Sequence, residues 1–258
     1  MLIDTDERVR AAVTVHAVLG ALPRLVELDR EAAAVLGGLA GETTLTLMVR
    51  GGPRASYTFT TAGIRVGGGG AGPRLLFTSP RHLDAVLDGS AQPIPFGGLS
   101  GIRFLTNIFM PLTERLGAYL RPDPNRLSDP EFARISTLLT LDVAVTAITV
   151  VGNDDVSGRF SARHMPDGDL DIEVGDDLRY RVEIRDHRLR LGDDLGEPPR
   201  AALRFADLDV AGGILTGRDS ALACLCDGRL AMRGFIPLVD NTNRILDRVG
   251  AYLGAKQS

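Results

Sequence analysis

The sequence predicts an α+β fold built twice: two tandem domains, each a twisted, mostly antiparallel sheet covered by helices, related by pseudo-twofold symmetry. Three observations carry this. Arg115-Leu116-Gly117-Ala118-Tyr119-Leu120 returns as Arg248-Val249-Gly250-Ala251-Tyr252-Leu253, and self-similarity at a fixed period marks a duplicated unit. Helical spacing gives way to alternation over Thr44–Val49, with Leu45, Leu47 and Val49 on one side and Thr44, Thr46 and Met48 on the other, the period of a strand. A run rich in Pro, Asp and Asn, from Arg121 to Pro130, punctuates the middle of the chain. The expected boundaries are an N-terminal domain over 1–122, a linker over 123–133 and a C-terminal domain over 134–258.

The repeat can be followed upstream. Leu87 and Gly89 match Leu215 and Gly217; Pro73, Arg74 and Phe77 match Pro199, Arg200 and Phe205. Leu45, Val49, Arg54, Arg65 and Gly67 match Leu170, Val174, Arg179, Arg190 and Gly192. In the opening helices Val13, Val15, Val18 and Leu19 run beside Leu139, Leu141, Ala144 and Val145.

In the first copy, helical spacing runs from Arg8 to Leu39, with an interruption expected at Pro23. Strands follow at Leu45–Val49, around Tyr57 and Phe59, at Ile64–Val66 and at Leu75–Thr78, with Gly67–Gly72 a loop. Ser79-Pro80 starts a helix, Ser as cap and Pro in the first turn, and Gly89 stops it. A last helix runs from about Met110 to Leu120. The second copy repeats the order: helix Pro130–Val151, strands Leu170–Val174, Arg179–Ile184, His187–Leu191 and Ala202–Phe205, helix Leu208–Leu215 and a final helix Asn241–Leu253.

Composition excludes several functions. The net charge is −4 with acids and arginines interspersed, so there is no basic footprint for a nucleic acid. The only lysine is Lys256 and tryptophan is absent, which removes Schiff-base, pyridoxal-phosphate and phosphate-loop lysines. Asp4, Asp6, Glu7, Arg8 and Arg10 occupy the place of a signal peptide's apolar stretch, so a cytoplasmic protein is expected. Cys224 and Cys226 cannot make a zinc site alone and read as small buried residues. The apolar run Ile135–Val151 is shorter than a membrane span and interrupted by polar residues. It is read as a helix buried between the halves, with no stable membrane insertion.

With these elements in place, the second copy resembles the sterol carrier protein family, type two. The residues are the strand Ala202-Leu203-Arg204-Phe205, the short helix closing at Leu215-Thr216-Gly217, then Asp219–Cys226, then Gly228-Arg229-Leu230-Ala231-Met232-Arg233-Gly234 and the apolar helix to Leu253. The family carries a Gly-(Lys/Arg)-Leu-x-(Ile/Met)-x-Gly strand between a pocket-forming helix and the C-terminal helix. The first copy departs from it: Phe96-Gly97-Gly98-Leu99-Ser100-Gly101-Ile102-Arg103-Phe104 stands at that place, without a basic residue after its first glycines. The resemblance implies an apolar tunnel for an acyl chain, sterol or other terpenoid-like lipid. Its expected lining is Leu222, Leu225, Met232, Phe235, Ile236, Ile245, Leu246 and Val249 in the second copy. In the first it is Phe104, Leu105, Ile108, Phe109, Leu112 and Leu116. For any single residue, filling a packed core is the equal alternative, because periodicity does not separate a solid face from a hollow one.

No catalytic motif stands out. The histidines His16, His82, His164 and His187 make no pair at one-turn spacing. His16 and Asp142 fall at equivalent places in the opening helices and form the one weak candidate dyad, or an interface hydrogen bond. Asp154-Asp155 and Asp193-Asp194 read as solvated turns. The glycine run Gly67–Gly70 lacks the Lys and Ser/Thr of a phosphate loop, and Ser157 and Ser220 lack a nucleophile-elbow setting. Ser161 and His164 read as chance neighbours in a loop. The expectation is a non-catalytic carrier of a hydrophobic small molecule, without metal or cofactor, as monomer or homodimer. Two alternatives stay open: an enzyme that cyclises or isomerises an apolar substrate in the same pocket, and a scaffold with filled pockets.

Overall fold

The computed structural model describes residues 5–193 and 196–254, and the chain divides into two compact units, Met1–Pro124 and Asn125–Ser258. In the first, the Asp6 carboxylate caps α1 (Glu7–Ala12) by accepting from the Arg8 and Val9 amides. The chain continues through a π-helical turn (Val13–Val18) and a 3₁₀ turn (Leu19–Ala21) into α2 (Leu22–Leu28). Pro23 therefore does not interrupt the helix as expected. It sits in the first turn of α2, where a missing N–H costs nothing, and the irregular turns before it absorb the change of register. The break comes at Asp29, which caps α3 (Arg30–Val35).

Five strands follow: β1 (Thr43–Val49), β2 (Arg54–Thr60), β3 (Gly63–Val66), β4 (Arg74–Phe77) and, beyond helix α4 (Pro80–Leu87), β5 (Ile94–Phe96). Their order is β3-β2-β1-β4-β5, with β1 parallel to β4 and every other pairing antiparallel. Ser79 caps α4 through the His82 amide and Gly89 stops it in the left-handed conformation. Then α5 (Gly98–Phe104), a π-helical turn (Leu105–Phe109) and α6 (Met110–Leu120) close the domain. Leu45, Leu47, Tyr57 and Phe59 of the sheet are fully buried. The Tyr57 hydroxyl donates to the Val15 carbonyl inside the first π-turn, and burial pushes its pKa well up.

The second domain opens with α7 (Pro130–Asp154) and α8 (Val156–Arg163), then β6 (Gly168–Val174), β7 (Leu178–Arg185), β8 (Arg188–Gly192), β9 (Ala201–Phe205), α9 (Leu208–Leu215), α10 (Ala221–Cys226), β10 (Leu230–Gly234) and α11 (Ile236–Leu253). The sheet order is β8-β7-β6-β9-β10, and only β6 and β9 run parallel. The two domains are thus similarly built α+β units with one topology. Strand register places Leu45 with Leu170, Arg54 with Arg179, Gly67 with Gly192 and Phe77 with Phe205 as equivalents. It moves two expected matches: Arg74 stands opposite Thr46, where the second sheet has Ala202 opposite Asp171, so Pro73-Arg74 answer to Ala201-Ala202, not to Pro199-Arg200.

Several local expectations change. Residues 98–104 form a helix, so the counterpart of β10 is Ile94–Phe96, in the stretch expected to break at its prolines. As an edge strand, β5 tolerates Pro95 because one side of its backbone needs no donor. His187 lies in the β7–β8 turn rather than a strand; Asp186 (φ 51°) and His187 (φ 61°) make a two-residue left-handed turn. Helix α8 replaces an expected loop. The span argument from Ile135–Val151 also gives way, since α7 has 25 residues. Both α7 and the stretch Glu7–Leu28 are long and apolar enough to cross a bilayer. In this fold α7 packs on β8, α8, α9 and α11 of its own domain, with Leu139, Ile148 and Val151 fully buried.

Candidate functional site

The repeated hexapeptide forms a latch in each domain. In the second, Asp155 caps α8 by accepting from the Gly158 amide at 2.9 Å. Arg248 holds the same carboxylate from α11, its Nε reaching Oδ1 at 3.2 Å and its Nη2 reaching Oδ2 at 3.2 Å. One helical turn on, the Tyr252 hydroxyl donates to Oδ2 at 2.6 Å. In the first domain Asp29 caps α3, Arg115 of α6 donates to it, and the Tyr119 hydroxyl donates at 2.9 Å. Arg and Tyr four residues apart lie on one helix face, so both can reach one acid. Burial alone would raise both carboxyl pKa values. The bonds from the Arg, the Tyr and the cap amide reverse this and hold Asp29 and Asp155 below the ordinary value. Tyr119 is pushed up to about 12, by burial first and then by Asp29.

Asp155 was expected in a solvated turn; it is 2% exposed, because its partner arrives from the last helix. A sequence signal for it existed. The register that pairs His16 with Asp142 also pairs Asp29 with Asp155 further along the same segments. Asp193 is exposed, and Asp194 and Lys256 lie outside the described residues.

The connection from the third to the fourth strand crosses the sheet face opposite the helices. In the first domain this is the glycine run. Beneath it Thr44 and Thr58 share a hydrogen bond at 3.1 Å, and a Cβ on Gly72 would come within 2.1 Å of the Thr44 carbonyl oxygen. Gly68, Gly70 and Gly72 therefore serve close approach to the threonines beneath them. In the second domain Arg181 lies under the crossover, paired to Asp171 at 2.8 and 3.0 Å and donating to the Glu197 carbonyl at 2.7 Å.

The expected lining residues separate into two groups. Phe104, Leu105, Ile108, Phe109, Leu112 and Leu116 are all buried in the first domain. Phe104 and Phe109 meet Phe59 edge-to-face, with centroids 5.0 and 6.4 Å apart: this is aromatic core packing. In the second domain Ile245 and Val249 are buried, and Leu225 and Leu246 are half-buried. Leu222, Met232, Phe235 and Ile236 are exposed, Ile236 by 75%. Residues expected inside a tunnel thus stand at the surface, on α10, on β10 and at the start of α11, which begins at Ile236, five residues earlier than periodicity suggested. Of these, Met232 and Ile236 border an open groove of about 390 Å³ between β10 and the start of α11, lined also by Gly234 and Val239, with Arg233, Asp240 and Asn243 as its polar members. Gly234 makes the strand-to-helix corner. Its φ is +83°, and a Cβ there would lie 2.2 Å from the Arg200 carbonyl oxygen.

The remaining candidates have structural partners. Tyr180 donates to Asp142 at 2.5 Å within the second domain, and His16 is exposed on the π-helical turn. His82 Nδ1 accepts from the Thr78 amide and its Nε2 meets the Gln92 carbonyl, both at 3.0 Å. Ser161 is buried in α8, while the His164 ring bonds the Phe160 carbonyl at 2.8 Å. Cys224 is buried and Cys226 exposed, both free. Among the described residues no cluster of His, Cys, Asp or Glu is suited to a metal ion. A scan against protein-family models and a search of curated proteins each return no match.

Proposed function

We propose that this chain is a non-catalytic binding protein that carries a hydrophobic small molecule (an acyl chain, sterol or terpenoid-like lipid) on its second domain. One observation carries the reading: Met232 and Ile236 face an open groove of about 390 Å³ at the β10–α11 corner, within the size range of small-molecule sites. Phe235 and Leu222 stand exposed in the neighbouring segments. Exposed apolar side chains grouped around a concavity mark a binding surface. An alkyl chain laid there leaves water at about 25 cal/mol per Å² of apolar surface, so affinity needs no special chemistry. The likeness of Gly228–Gly234 and its flanking helices to sterol carrier proteins supports the same reading. Arg233, Asp240 and Asn243 would meet the ligand's polar end. The buried aromatic cluster of the first domain favours a filled, scaffolding role for that half.

Organic extraction of the purified chain followed by mass spectrometry tests this, together with titration of a fluorescent fatty acid. Bound lipid, and probe binding lost in Ile236→Asp but kept in Leu99→Asp, is the expected outcome. An empty chain that binds no probe would overturn it.

A further inference from the structure

The first domain has an exposed apolar surface of a different kind. Residues 89–113 contain no Asp, Glu, Lys or His, and Arg103 is their single charge. In a chain that is 24% charged, this stretch is set apart. The structure turns much of it outward: Phe96 is 53% exposed, Leu99 79%, Ile102 49% and Met110 50%. Phe96 and Ile94 belong to edge strand β5, and Leu99 and Ile102 to the helix that follows directly. Arg74 stands opposite Phe96 in the sheet. Both Arg74 and Arg103 are exposed, and neither has an acidic partner among the described residues.

The equivalent edge of the second domain is built otherwise. Around β10, Arg229 pairs with Asp227 at 2.8 Å, Arg233 pairs with Glu173, and Arg244 pairs with Asp240 at 3.1 Å. These three arginines each meet an acid, whereas Arg74 and Arg103 do not.

We infer that the β5–α5 edge of the first domain docks on an anionic bilayer surface, Phe96, Leu99 and Ile102 entering the headgroup–acyl boundary while Arg74 and Arg103 meet lipid phosphates. Charge selects this occupant. Arginines without acids, beside apolar side chains, suit an anionic interface. The chain as a whole carries −4 and would be repelled elsewhere, so attachment falls on this edge, whose arginines have no acid beside them. The inference is independent of any ligand held by the second domain.

Co-sedimentation of the full chain with vesicles of phosphatidylcholine and phosphatidylglycerol tests it. Wild type should pellet, and pellet less as salt rises. Leu99→Asp should reduce the bound fraction by about tenfold or more, because charge replaces an inserting side chain. Arg103→Gln should lower binding to mixed vesicles but not to pure phosphatidylcholine, and Ile236→Asp should leave binding unchanged. Circular dichroism of each variant separates loss of docking from loss of fold. Absence of wild-type sedimentation, or equal pelleting of Leu99→Asp, would overturn the inference. So would sedimentation velocity showing a dimer that Leu99→Asp dissolves, which would give the edge to a second copy of the chain.

Discussion

Beneath the crossover of the first domain two threonines share a hydrogen bond under bare glycines; beneath that of the second, a buried arginine grips an aspartate. The strand order is the same above both. The register makes Thr46 and Ser56 the counterparts of Asp171 and Arg181, and the hydroxyls of the first pair meet at 3.1 Å. One topology therefore tolerates two solutions to covering a sheet: bring the backbone close by omitting Cβ atoms, or fill the space with a charged pair whose groups are all bonded. The latch, by contrast, is common to both domains. What the domains share is the tie between the last helix and the second helical segment; what they vary is the outer face and the edge.

The comparison can be broken most sharply at the ion pair. Arg181→Ser takes the two-bond partner from Asp171 and leaves it only the longer pair to the exposed Arg179 at 3.7 Å, and should cost about 3 kcal/mol in urea unfolding. Adding Asp171→Thr, which copies the first domain's pair, should return part of that loss, since the buried charge is gone. A double variant no more stable than the single would show that the two solutions are not interchangeable.

Next in size is the latch. Arg248→Met should cost about 3 kcal/mol, and Arg115→Met less, because the Arg115 side chain is 30% exposed against 10% for Arg248. The pH dependence has a definite sign. Asp155 and Asp29 have folded pKa values below the ordinary one. Their stabilisation is complete above the unfolded carboxylate value of about 4 and is lost as pH falls through the depressed folded value. Removing Arg248 leaves burial less opposed, so acid unfolding of that variant should begin at higher pH than in wild type. Circular dichroism against pH reads this directly.

Gly72→Ala should destabilise the first domain by about 2 kcal/mol through overpacking against the Thr44 carbonyl. Gly69→Ala should be nearly silent, since nothing lies within 4 Å of a Cβ there. Smallest are the tyrosines: Tyr252→Phe and Tyr119→Phe each remove one bond to a charged acceptor, about 1.5 kcal/mol in a double-mutant cycle with the arginine.

Much of the architecture was legible. Alternation located β1 and β6, Ser79-Pro80 marked the start of α4, and Gly89 and Gly217, both left-handed, marked helix ends. The hexapeptide echo pointed to duplication, yet its purpose stayed hidden, because Arg248 and Asp155 lie far apart in sequence and nothing local distinguishes a buried carboxylate from a turn residue. The candidate site was legible only as a set of apolar positions. Ile245 and Ile236 lie on the same final helix, one fully buried and the other exposed.

The sequence by itself determined the repeat, the strand pattern, the caps and the turns, since these follow from local sterics and from which side chains share a face. Only the tertiary structure decided which of those faces are covered, which carboxylates are latched and which arginines remain without an acid. Burial and charge compensation depend on groups brought together from distant parts of the chain, and no local pattern encodes their meeting.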